Sequence, residues 1–210
     1  MANRVPFDDR GNENISIDDI SPLLLKDYLT KIDSRLAKAN FTTDIETILD
    51  QMQLYDGPKE KRLIKNVTAM MFSEHPEKFF PTTQVDIVVF PKGREVDPEN
   101  FIEVPPIKGP VPMMIRNSLE YLRTNIIKER ITKPTDDERS VKVFNYPFQA
   151  LEEGVVNALY HRDYKEREPV EITIEPDRIS ILSYSGPDRS ISLESLKEAN
   201  MLRSRRYRNR

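Results

Sequence analysis

Glu153 and Asn157 stand four residues apart in a stretch whose apolar residues recur at helical spacing, so their side chains leave one face a single turn apart. A carboxylate can orient or deprotonate a water, and an amide carbonyl is a hard oxygen of the kind Mg2+ accepts. Residues of these types could serve such chemistry, but the four-residue pattern by itself is a weak signal of it. The same two residues also suit an ordinary solvated helix face, and their spacing alone does not choose between the readings.

The element that must position them runs through residues 146–164. It opens with Tyr146-Pro147, proline being tolerated in a first turn where its missing N–H would be unpaired anyway. Phe148, Leu151, Val155 and Leu159 form one stripe that should face a core, with Glu153 and Asn157 on the other side. Ala150, Gly154 and Ala158 border the stripe. Glycine inside a helix costs about 1 kcal/mol relative to alanine, so another element is expected to approach that backbone closely. After the helix, Val170, Ile172 and Ile174 alternate with Glu171 and Thr173, and Ile179 and Ile181 continue the alternation, which predicts a hairpin with one buried face. The hairpin leads into Tyr184-Ser185-Gly186-Pro187-Asp188, a sequence that also suits a simple turn.

The run Ala150-Leu151-Glu152-Glu153-Gly154-Val155-Val156-Asn157-Ala158-Leu159-Tyr160-His161-Arg162-Asp163-Tyr164 resembles the helix of the GHKL-like ATPase domain of RecG-related, Schlafen AlbA-type transcriptional regulators, whose text reads roughly E-A-L-V-N-A-L-x-H-R-D-Y. The resemblance spans most of the chain and is strongest from Tyr146 onward. It implies an α/β (α+β) fold in which helices cover one face of an open, largely antiparallel sheet. It implies ATP and Mg2+ as cofactors, with Asn157 on the metal and the phosphates and Glu153 as the water-activating base. Standard GHKL ATPases carry a D-x-G-x-G box after the hairpin; matching on Gly186, which would admit the nucleotide, puts Tyr184 at the adenine-binding aspartate and Asp188 at the second glycine. Tyr184 would then meet a base by stacking or through its hydroxyl.

In this family a V-P-F-D-D-R-like segment, here Val5-Pro6-Phe7-Asp8-Asp9-Arg10, follows the AlbA-type DNA-binding domain. DNA contact is accordingly expected from a module ahead of this chain, and a second glycine-rich box and most of a nucleotide lid are expected beyond it. The expected partners are a nucleotide, DNA through that module, and a second copy in a homo-oligomer. A non-catalytic scaffold or dimerisation module that kept the fold is the competing reading, favoured by Tyr184 and Asp188. The helicase label sometimes attached to this family has no support here, since no G-x-x-x-x-G-K-[ST] phosphate loop occurs.

Elsewhere the chain is read as residues 1–56, helical; 57–134, a middle α/β region with Asp56-Gly57-Pro58 as its boundary; and 135–210, the first part of the GHKL-like domain. Helices are predicted over 23–37 and 43–52. Leu63, Ile64, Val67, Met70 and Met71 predict another, with its methionines in the core, and 113–129 a long one. Strands are predicted at 83–90 and near 100–103, and an extended connector at 104–112. His75 reads as a loop residue. His161-Arg162-Asp163 looks like the protein-kinase triplet, but Glu168 stands where a kinase has asparagine, so these residues are expected to cap the helix and hold the loop to Val170. Arg203, Arg205, Arg206, Arg208 and Arg210 around Tyr207 could meet phosphates of nucleotide or nucleic acid, or form a solvated tail.

The 210 residues include no cysteine and two histidines, which excludes disulfides and thiolate sites and argues against zinc. Charged residues make up 32% but the net charge is −3, so no global attraction to nucleic acid follows. With no apolar run near the length of about 20 residues that a span needs, a cytoplasmic protein is expected.

Overall fold

A computed structural model describes residues 5–38, 44–132 and 141–184. The chain begins with short elements: α1 (Pro22–Lys31), α2 (Ile45–Gln51), β1 (Tyr55–Asp56), β2 (Leu63–Ile64) and α3 (Asn66–Phe72). Leu25, Leu29, Ile48, Leu49, Met70 and Phe72 are buried together here, in a first core that draws on residues from Ile15 to Phe80 and on Tyr164 from the second half. Asp56-Gly57-Pro58 is the turn between β1 and β2, with Gly57 at φ 90°, a conformation suited to glycine. The first core continues on both sides of it, across the position where the sequence suggests a boundary. Leu63 and Ile64, expected in a helix, pair with Asp56 and Tyr55 instead, and the helix starts only at Asn66. The hairpin turn holds them extended.

The second half is built on a mixed sheet. β3 (Gln84–Val89) lies at its centre, with β4 (Ile102–Glu103) and β5 (Ile107–Lys108) antiparallel along one edge. α4 (Val111–Asn125) follows, then the separate ribbon β6 (Glu129–Thr132) and β7 (Val141–Phe144), then α5 (Phe148–Tyr160). β8 (Val170–Ile174) returns to pair with β3 in parallel, and β9 (Ile179–Leu182) closes the hairpin antiparallel to β8. The expected α/β architecture is present. Its sheet is antiparallel in its other pairings, but the central pairing is parallel, because α4 and α5 both lie in the crossover from β3 to β8.

Register explains the core. Ile87, Ile172 and Ile181 lie side by side across three strands, and Val89, Ile174 and Ile179 form the next row. This face packs against Met114 and Leu122 of α4 and Leu151, Val155 and Leu159 of α5. α4 is shorter than expected because the chain leaves the helix at Asn125 and turns into β6 by Glu129. Of the sequence-predicted connector, Ile107 and Lys108 join the sheet edge. No helix among the described residues is long and apolar enough to cross a membrane.

Candidate functional site

α5 presents two different sides. Leu151, Val155, Ala158 and Leu159 are buried in the second core, whereas Glu153, Asn157 and Tyr160 are exposed. Between them lies Gly154, where a Cβ would stand 2.9 Å from Ile181 Cδ1 of β9. The close approach expected at that glycine is therefore made by the hairpin. About 60° separates Asn157 from Gly154 around the helix, and about 100° separates Glu153 from it, so Asn157 lies nearer the β9 flank.

The end of β9 is tied to the end of α5. Ser183 Oγ donates to the Ala158 carbonyl at 2.8 Å, and the Asp163 N–H donates to the Tyr184 carbonyl at 3.3 Å. Two neighbouring carbonyls of the same turn are also occupied: Asn157 accepts from the His161 N–H at 3.0 Å, and Leu159 from the Tyr164 hydroxyl at 2.8 Å. The last turn of a helix leaves its carbonyls without helical partners. Here the Asn157 carbonyl keeps a helical partner in the cap residue His161, while those of Ala158 and Leu159 are taken by Ser183 at the end of the hairpin and by Tyr164 of the following loop, which ties α5 to both. Tyr184, 39% exposed, is thereby brought to the C-terminal end of the helix that carries Glu153 and Asn157. Gly186 and Asp188, the remaining residues of the expected nucleotide box, lie outside the described residues, as do Arg203 to Arg210.

The loop after α5 holds a residue whose position exceeds the expectation from sequence. Arg162 is 5% exposed, and its Nη2 donates to the carbonyls of Glu168 at 2.7 Å and Glu166 at 3.2 Å and to Thr82 Oγ1 at 3.3 Å. It does hold the loop to Val170, but from the interior. Burial pulls its pKa below the usual guanidinium range, with Tyr164 and Asp163 opposing. The guanidinium carbon stands 5.1 Å from the Tyr164 ring centre. Burial also pushes the Tyr164 phenol up to about 12, against the pull of Arg162. An isolated arginine in a polar loop gives no sequence signal of burial; the only clue is the tyrosine two residues on. His75 is a turn residue, with Nδ1 3.2 Å from Glu77 Oε1.

Among the described residues no group of three or more His, Cys, Asp or Glu side chains is placed to hold a metal ion. Mg2+ at a nucleotide keeps several waters and takes one or two protein carboxylates besides phosphate oxygens, and the exposed face of α5 offers one carboxylate, Glu153, and one amide oxygen, Asn157.

The chain thus belongs to the α/β class, with a helix pair on one face of a mixed sheet. No family model matches the chain, and no curated protein does. Among solved structures, it is similar to the DIP2311 protein from Corynebacterium diphtheriae, with a TM-score of 0.60 and 20% identity over 91% of this chain and 36% of that one. At that identity the likeness shows the fold alone, and this chain spans little more than a third of that protein's length.

Proposed function

We propose that this chain is part of a transcriptional regulator whose second half is a divergent GHKL-type module for Mg·ATP. The single observation that supports it most is the convergence on α5: the helix exposes Glu153 and Asn157 on one flank, and the end of the hairpin is tied to that helix beside Tyr184. Bound Mg2+ would supply charge neutralisation at the phosphates. Asn157 would hold it through its amide oxygen, Glu153 would orient a water and take its proton, and Tyr184 would stack on the base. In a calorimetric titration of Mg·ATP, Asn157→Ala is expected to abolish binding, while Glu153→Ala binds normally and loses turnover. Equal binding by wild type and Asn157→Ala would sink the assignment.

A non-catalytic scaffold is the second reading. It is favoured by the apolar and aromatic groups exposed where β9 ends, Leu182 at 47% and Tyr184 at 39%. Such groups suit contact with another protein surface or a second copy.

A further inference from the structure

Tyr164 belongs to both halves of the molecule. Its ring is buried in the first core, while its hydroxyl bonds Leu159, which is fully buried in the second. Arg162, two residues earlier, reaches the other junction between the halves. Its partner Thr82 sits where the chain passes from Phe80, in the first core, to β3.

Two features make this junction costly as it stands. Thr82 has φ 61°, in the left-handed region where a β-branched residue is strained. Arg162 Nε and Nη1 are buried and have no hydrogen-bond partner among the described residues, and idle donors on a buried guanidinium are costly. The loop itself carries acceptors for them: the exposed side chains of Glu166 and Glu168, whose backbone carbonyls already accept from the same arginine.

The loop also adjoins both residues proposed to meet the nucleotide: it continues directly from the last turn of α5, where the His161 N–H closes the helix on the Asn157 carbonyl, and its Asp163 N–H donates to the Tyr184 carbonyl. We propose that residues 161–168 form a transmission joint, through which nucleotide at Asn157 changes how the first core is held against the second. The inference rests on the nucleotide reading above. A ligand can shift such a junction only by binding two arrangements of it unequally, and Asn157 and Tyr184 are placed to sense the difference.

The test is hydrogen exchange read by mass spectrometry on the whole chain, with and without saturating Mg·ATP, alongside a calorimetric titration. Wild type is expected to show slowed exchange in α5 and also in α1 and α3. Tyr164→Phe keeps the ring in the first core and removes only the bond to Leu159; it should bind nucleotide within about twofold of wild type, keep the α5 response, and lose at least half of the α1 and α3 response. A full first-core response in Tyr164→Phe would overturn the joint, as would wild-type binding with no first-core response; either result leaves the nucleotide reading standing. No heat and no exchange change in wild type would overturn both.

Discussion

The two cores of this chain are stabilised in different ways. The first is assembled from short helices and a hairpin of two-residue strands, and its buried amide is engaged at both ends: Asn66 Nδ2 donates to the Phe7 carbonyl at 2.8 Å, and its Oδ1 accepts from Asn12 Nδ2 at 2.9 Å. The second is made of long-range strand pairing under two longer helices. Of the buried side-chain atoms without a partner among the described residues, Glu77 Oε2 lies in the turn that ends the first unit; the others, Ser118 Oγ and two nitrogens of Arg162, lie in the second. The first core thus holds a hydrogen-bonded polar centre, whereas the idle polar atoms of the second lie on α4 and in the loop where it meets the first.

The strongest way to break this comparison is to hollow out each core. Leu25 and Leu159 are both fully buried, and replacing either by alanine should cost about 2–5 kcal/mol. If the junction couples the halves, urea unfolding of both variants should remain a single transition by tyrosine fluorescence and by circular dichroism; separate transitions in Leu25→Ala would mean independent units.

Alkaline unfolding sharpens the comparison at the junction. The Tyr164 phenol is raised to about 12 in the folded chain, from 10 in the unfolded one. Its contribution is therefore fully present below pH 10 and is lost as the pH climbs to 12, at up to about 1.4 kcal/mol per pH unit for one proton. Stability curves of wild type and Tyr164→Phe should converge across that window. Parallel curves would show that the phenol titrates normally.

The smallest effect is expected at Gly154. Alanine there gains up to about 1 kcal/mol of helix propensity but meets Ile181 Cδ1 at 2.9 Å, so Gly154→Ala alone should be close to neutral. Removing that methyl first, as Ile181→Val, should make the same change stabilising in thermal melts. An equal effect in both backgrounds would show that the hairpin does not set the helix position.

The parts legible in the sequence are those governed by period. The stripe of Phe148, Leu151, Val155 and Leu159 marks α5 to within a few residues, and the alternation of Val170, Ile172 and Ile174 marks the hairpin and its buried face. Leu63 and Ile64 misled because two apolar residues fit either period, and the turn at Gly57 decided between them. The parallel register of β3 with β8 is a contact between distant residues and leaves no local trace. At the candidate site, the exposure of Glu153 and Asn157 follows from helix phase, and the approach to Gly154 from its type. The inward course of Arg162 does not, since it depends on Thr82 and on carbonyls that only the folded loop brings together.

The parallel pairing of β3 with β8 also sets an order of events during synthesis. β3 leaves the ribosome with β4 and β5 close behind to cover one edge, but the partner of its other edge emerges only after α4, the ribbon and α5 have been made. At about 5–20 residues per second that edge waits for several seconds. The first core, whose pieces are nearly all already out, can meanwhile fold next to an open strand with Val85, Ile87 and Val89 along one face, a segment that a nascent chain has reason to keep from its neighbours.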